Sequence, residues 1–71
     1  MTETEAKYIE LNSFLRINNI APTGGKVKLI IRAGNVKVNG ETELRNKRKL
    51  RGGDIVECLG KNFKIEEDFL R

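Results

Sequence analysis

Residues 34–54 of this chain read GNVKVNGETELRNKRKLRGGD, and this stretch decides the fold. Val36 and Val38 alternate with Lys37, which is the period-2 pattern of a strand with one buried face. Asn39-Gly40 follows, the dipeptide best suited to the positive φ angles of a type I′ hairpin turn. The stretch closes on Gly52-Gly53-Asp54, which predicts a second turn before another apolar run.

Between the two turns, basic residues crowd together. Five lie within seven positions with no acid among them: Arg45, Lys47, Arg48, Lys49 and Arg51. Residues 26–51 hold nine Lys or Arg against two Glu, a net +7 in a chain whose total is +4. This density and sign favour an RNA or DNA footprint over an ordinary solvated surface. We expect the side chains to be exposed, so that replacing Arg45, Arg48 and Lys49 together leaves stability nearly unchanged.

The length of 71 residues fits one small domain, which buries roughly 60% of its unfolded surface. Cys58 is the only cysteine and lies in an apolar run, so it is interpreted as a small core residue. A single cysteine, and an N-terminus without the apolar core of a targeting segment, predict a cytoplasmic protein. No apolar run approaches membrane-spanning length, so no membrane partner is expected.

A first helix is predicted after a short extended lead-in at Tyr8-Ile9. Leu11, Phe14 and Leu15 follow the i, i+3, i+4 spacing of an amphipathic helix. Asn18-Asn19 predicts its end, because Asn tolerates the left-handed conformation.

A second helix is predicted from about Gly24 to Ala33, with Thr23 as its N-cap and Gly34 as its C-terminal cap. The apolar spacing directs Val27, Ile30 and Ile31 to the core, while Lys28 and Arg32, four residues apart, share the opposite face.

The start of this helix is open to two interpretations. Two glycines in its first turn cost about 1 kcal/mol each relative to alanine, and lysines lie where acids are preferred. A phosphate docked at Gly24-Gly25 would explain both features. Alternatively, the glycines let a loop or the other helix pack closely, and the sequence favours neither interpretation.

After the basic run, residues 54–59 predict a strand with Val56 and Cys58 on one face. Gly60-Lys61-Asn62 predicts a turn, and Phe63-Lys64-Ile65 the returning strand. We expect a flexible N-terminus at 1–7, the folded domain at 8–65 and an acidic tail at 66–71.

The residues needed for catalysis are scarce. The chain has no histidine, Cys58 has no partner for a zinc site, and no two acids can be placed together on one element. We therefore expect no enzymatic activity, cofactor, metal or small-molecule substrate. The aromatic residues are interpreted as core rather than as a stacking platform for bases: Tyr8, Phe14, Phe63 and Phe69.

The pattern as a whole resembles a known family. In chain order there are a helix ending in Phe14-Leu15, a second ending at Gly34, then Val-Lys-Val-Asn-Gly, a basic loop and Gly53-Asp54. This order is similar to that of the RNA-binding domain named after ribosomal protein S-four, also called the αL motif. The match covers about residues 8–65. The loop at Thr23 and residues 41–45 look most like the small stand-alone bacterial members, the YaaA/YbcJ type.

The resemblance implies an α+β fold in which two helices pack on a small, twisted, mostly antiparallel sheet. It also implies structured RNA, ribosomal or transfer RNA, bound across the second helix and the adjoining hairpin. The candidate RNA-binding residues are Lys26, Lys28, Arg32, Lys37, Arg45, Lys47, Arg48 and Lys49. Many family members carry Ser-Arg where Thr23-Gly24 stands here, so one expected arginine contact is missing.

Together these observations predict a monomeric, non-catalytic RNA-binding protein connected with ribosome assembly or translation. The alternative is a protein-interaction adaptor that docks a partner through a strand edge or through Phe69-Leu70.

Overall fold

A computed structural model describes residues 7–66 of the chain. Its elements in chain order are β1 (Ile9–Glu10), α1 (Leu11–Ile17), α2 (Gly24–Arg32), β2 (Val36–Val38), β3 (Glu41–Thr42), β4 (Lys49–Leu50), β5 (Ile55–Cys58) and β6 (Lys61–Lys64). The predicted α+β class is confirmed, with two helices and a mostly antiparallel sheet.

The strands form two antiparallel groups. A four-stranded sheet has the order β3-β2-β5-β6, and a separate two-stranded ladder joins β1 to β4. In the ladder, Ile9 lies opposite Leu50 and Glu10 opposite Lys49. Because β4 lies at the end of the basic run, this ladder ties that run to the chain just before α1.

The two turns predicted from residues 34–54 contact each other. Asn39 and Gly40 have φ angles of 54° and 88°, and Val38 lies opposite Glu41, which confirms the two-residue hairpin. The Asn39 side chain donates to Asp54 Oδ1 at 3.1 Å and accepts from the backbone N–H of Ile55 at 2.9 Å. The first turn is therefore fastened to the start of β5, directly after the second turn.

One hydrophobic core lies between the helices and the sheet. The buried apolar residues come from both helices, from three of the strands and from the segment after β6: Leu11, Phe14, Leu15, Val27, Ile31, Val36, Val38, Leu50, Val56, Cys58 and Ile65. The Phe14 and Phe63 rings pack edge to face, with centroids 5.8 Å apart. Cys58 is a buried free thiol, as its apolar surroundings in the sequence predicted.

The predicted helix ends are confirmed to within a residue. Asn19 has a φ of 60° after the end of α1. The Thr23 hydroxyl accepts from the backbone N–H of Lys26 at 3.2 Å, so Thr23 caps α2. The helix ends at Arg32, one residue before the predicted Ala33, and Gly34 follows with a φ of 86°.

Three expectations are wrong. The turn predicted at Gly60-Lys61-Asn62 lies at Leu59-Gly60, where both residues have positive φ, and Lys61 already begins β6. The basic run predicted as a loop contains the strand β4, whereas the extended lead-in predicted at Tyr8-Ile9 agrees to within a residue with the strand Ile9–Glu10. Tyr8 is not a core residue, because 46% of its surface is exposed.

The proposed boundaries at residues 8 and 65 stay predictions. The acidic tail after Glu66, with Phe69-Leu70, and the first six residues lie outside the described part of the chain.

Candidate nucleic-acid interface

A surface depression lies on the basic run between β3 and β5. Every residue that lines it is Lys or Arg, and we call it the basic depression: Arg45, Lys47, Arg48, Lys49 and Arg51. Five cations around one concavity, with no acid in its lining, focus a positive potential there. The arrangement is suited to a ligand that carries several closely spaced negative charges.

The backbone of the basic run and of the residues just before it is held from two sides. On the sheet side, the N–H of Glu43 donates to the carbonyl of Val36 at 2.9 Å. On the helix side, the N–H groups of Leu11 and Asn12 donate to the carbonyls of Arg48 and Asn46 at 2.8 and 3.0 Å. The first N–H groups of a helix lack partners within it, and here the basic run supplies them. The cations are therefore carried by an anchored segment.

A buried acid lies beneath these cations. The Glu43 side chain is 9% exposed, and both its oxygens are engaged. Oε2 accepts from the backbone N–H of Arg45 at 2.9 Å and from Arg45 Nε at 3.0 Å. Oε1 accepts from Arg48 Nη1 at 2.7 Å and from Arg45 Nη2 at 3.3 Å. One carboxylate thus joins two of the five cations of the depression.

These contacts change the acidity of Glu43. Hydrogen bonds from Arg45, above all from its side chain, and from Arg48 favour the charged carboxylate. Burial opposes them, but the hydrogen bonds prevail and lower the pKa of Glu43 from 4.5 to about 2. The same pairing raises the pKa of Arg45. Glu43 is therefore ionised throughout the physiological range.

The expectation that Arg45 and Arg48 are simply exposed charges needs correction. The Arg45 side chain is 72% exposed, whereas that of Arg48 is 30% exposed, and both bind Glu43. Removing Arg48 would leave the buried Glu43 carboxylate without one of its two arginine partners, which lowers the free energy of unfolding. The triple replacement of Arg45, Arg48 and Lys49 is therefore expected to lower stability.

Asn12 connects the basic run to the start of α2. Its Nδ2 donates to Asn46 Oδ1 at 2.7 Å and to the carbonyl of Gly24 at 3.0 Å. A Cβ at Gly24 would lie 3.3 Å from Asn12 Oδ1, whereas one at Gly25 would meet only Thr23 Oγ1, at 4.0 Å. Close packing therefore accounts for the first glycine. The second stays open to both interpretations.

The eight candidate residues fall into three groups. Four line the basic depression: Arg45, Lys47, Arg48 and Lys49. Lys26, Lys28 and Arg32 are exposed on α2 and are not part of its lining. Lys37 lines a separate hollow with Glu57, its antiparallel partner on β5, so an acid accompanies this lysine.

Three features were missed in the sequence. Arg51 completes the depression, and its place in the same basic run could have indicated it. Glu43 was counted only as a negative charge, because nothing in the sequence indicates its burial. Tyr8 places its ring 4.9 Å from Lys49 Nζ, a cation–π contact across the β1–β4 ladder.

Two properties of the described residues bear on other functions. Within residues 7–66, no group of three or more His, Cys, Asp or Glu side chains could hold a metal ion. Neither helix in that part of the chain has the length and apolar character required to cross a membrane.

The architecture and the basic depression define a small α+β domain of the αL type. A family model described as S4 domain matches residues 2–66, and the chain belongs to this family. A solved structure supports the fold: 30S ribosomal protein S4e from Thermoplasma acidophilum matches with a TM-score of 0.71 at 23% identity. That match covers 84% of this chain and 32% of the other, so this chain spans about a third of that protein.

The matches to two curated relatives cover most of this chain and most of each relative. The chain is 36% identical over 56 residues to the Probable ribosome maturation protein RlbA of Bacillus subtilis, covering 79% of each. It is 29% identical over 58 residues to the Putative RNA-binding protein YbcJ of Escherichia coli, covering 82% of this chain and 83% of that protein. The predicted family is thereby confirmed.

Proposed function

We propose that this protein binds structured RNA, with ribosomal RNA as the first candidate, through phosphate contacts at the basic depression. One observation carries the proposal: all five residues that line the depression are Lys or Arg. The S4 domain match and the names of the two relatives, one a probable ribosome maturation protein and the other a putative RNA-binding protein, support it.

Binding relies on charge and shape. Lys and Arg contacts to phosphate fix the position of a protein on a nucleic acid without reading its bases. Double-stranded RNA is recognised mainly in this way, because its deep, narrow major groove excludes side chains. The depression takes the most crowded phosphates, and Lys26, Lys28 and Arg32 on α2 extend the contact.

The protein acts as a monomer in the cytoplasm, and its role is to bind rather than to catalyse. Ribosome maturation is the process in which we place it, by analogy with the relative named for that process.

Affinity for a ribosomal RNA fragment tests the proposal. Replacing Lys47 and Arg51 with Gln removes two cations of the depression that are not among the hydrogen-bond and ion-pair partners of Glu43, which are Arg45 and Arg48. Hydrogen bonds to charged groups contribute about 1.5–3 kcal/mol each, so we expect Kd to rise at least about tenfold at low salt. Fluorescence anisotropy with a labelled fragment measures the change.

The matched control replaces Lys61 and Lys64, which are exposed on the edge strand β6. Both variants lose two positive charges, but only the first loses residues of the depression. Equal losses in the two variants would show that net charge alone drives binding. Absence of RNA binding by the parent at low salt would favour the adaptor alternative.

A further inference from the structure

Glu43 binds two residues of the proposed RNA site, although its charge repels RNA. Residues 26–51 hold two acids, and they lie two positions apart: Glu41 and Glu43. Glu41 is exposed on β3, whereas Glu43 is buried and bound to two arginines. Charge alone predicts that neutralising either acid tightens RNA binding.

The contacts of Glu43 fix where Arg45 and Arg48 point. An arginine side chain loses much rotamer freedom when it is immobilised by a ligand, and this loss weakens binding. Here Oε1 and Oε2 of Glu43 hold the Arg45 guanidinium through Nη2 and Nε. Arg48 Nη1 binds Oε1 at 2.7 Å. Both side chains are therefore ordered before a ligand arrives.

The arginines keep the capacity to bind phosphate. A guanidinium has five N–H donors in a planar fork, and Glu43 engages two of those on Arg45. Because this side chain is 72% exposed, its other donors are accessible to a ligand. A guanidinium group held in one orientation can donate two hydrogen bonds to one phosphate at a smaller entropic cost than a mobile guanidinium group.

We propose that Glu43 is a positioning residue for RNA binding, which orders Arg45 and Arg48 so that both present guanidinium groups to phosphates in the basic depression. This inference rests on the proposed function and assigns a role within the same site. It predicts that the acid strengthens the binding of a polyanion, opposite to the effect of its charge.

The test compares Glu43→Gln with Glu41→Gln, which make the same change in net charge. We expect Glu41→Gln to bind a ribosomal RNA fragment as tightly as the parent or more tightly. We expect Glu43→Gln to bind about 3- to 30-fold more weakly, since the two arginines must be ordered during binding. If Glu43→Gln binds as tightly as Glu41→Gln, the inference is overturned.

A double-mutant cycle separates positioning from general damage. Arg45→Gln should weaken binding strongly in the parent and much less in the Glu43→Gln background, because the arginine is already disordered there. Equal losses in the two backgrounds would mean that Glu43 does not act through Arg45.

A second variant covers the case in which Glu43→Gln does not fold. Glu43→Asp keeps the charge but shortens the side chain by one methylene, so it cannot hold both arginines at the same distances. With folding verified by circular dichroism, weaker RNA binding supports the inference, and parent-like binding overturns it. If the parent and Glu41→Gln both fail to bind RNA at low salt, the proposed function itself is wrong.

Discussion

Glu43 shows how one side chain can serve stability within a cationic surface. A buried ion pair is often no more stabilising than apolar residues of the same shape, but removing one partner costs several kcal/mol. The carboxylate of Glu43 is bound to Arg45 and Arg48, so the three side chains form a unit. In a domain of this size, whose total stability is a few kcal/mol, losing one partner of such a unit would remove a large fraction of that stability.

The lowered pKa of Glu43 makes this contribution dependent on pH. Because the folded state holds the pKa at about 2, against 4.5 for the unconstrained group, the stabilisation is fully present above pH 4.5. It is lost as pH falls through this window to about 2. By linkage, the contribution is largest near neutral pH, and because Arg45 is 72% exposed, solvent screening keeps it below the value that the pKa shift alone would give.

Urea unfolding of the parent and of Glu43→Gln across this pH range tests the assignment. We expect the parent to be the more stable near neutral pH, and the difference to shrink steadily between pH 4.5 and 2. Other carboxylates titrate in both proteins, so the difference isolates Glu43. A difference that does not change with pH would contradict the assigned pKa.

Single residues also explain why the first hairpin turn was predicted at its correct position and the second was not. Asn39-Gly40 and Leu59-Gly60 both have two positive φ angles, 54° and 88° against 51° and 80°. Asn tolerates the left-handed region because its side chain hydrogen-bonds locally, whereas Leu does so rarely. The sequence therefore indicated the first turn, and the register of β5 and β6 imposes the second on Leu59.

At the scale of the elements, the start of α2 distinguishes its two glycines. Gly24→Ala would press its Cβ against Asn12 Oδ1, at 3.3 Å, where Asn12 is held by its bonds to Asn46 and to the Gly24 carbonyl. Gly25→Ala would make only an ordinary van der Waals contact, with Thr23 Oγ1 at 4.0 Å, so its better helix propensity should raise stability by up to about 1 kcal/mol.

Thermal melts of the two variants check this ordering. We expect Gly25→Ala to melt at or above the parent temperature and Gly24→Ala to melt below Gly25→Ala. The reverse order would mean that the Asn12 contacts do not constrain the helix start. RNA titrations of Gly25→Ala address the remaining question, since unchanged affinity would remove the phosphate interpretation of that glycine.

The two helices were predicted because their apolar residues keep helical spacing over at least one turn. Strand β5 was predicted because its apolar residues alternate over several positions. The ladder of β1 with β4 joins two-residue strands that are far apart in sequence: Ile9 lies opposite Leu50, 41 positions later, and Glu10 opposite Lys49, 39 positions later. Two residues are too few for a period-2 pattern. The contact depends on where α1 directs the chain, which local sequence does not encode.

At the scale of the whole molecule, charge predicted which residues cluster on the surface better than it predicted how they are arranged. The basic run holds all five residues of the depression, and the candidates chosen from it included four of them. Sequence spacing could not separate this group from Lys26, Lys28 and Arg32 on α2, nor from Lys37 beside Glu57. Those distinctions arise when the two turns at Asn39 and Asp54 bring distant segments together.

The central claim is that the basic depression binds RNA through phosphates, and the salt dependence of affinity tests it most directly. Each phosphate contact should contribute about −0.7 to −0.9 to the slope of the logarithm of the association constant against the logarithm of the salt concentration. We predict a steep negative slope for the parent, and one shallower by about 1.4 to 1.8 when Lys47 and Arg51 are both replaced with Gln. An affinity independent of salt, or a variant with the parent slope, would contradict the account.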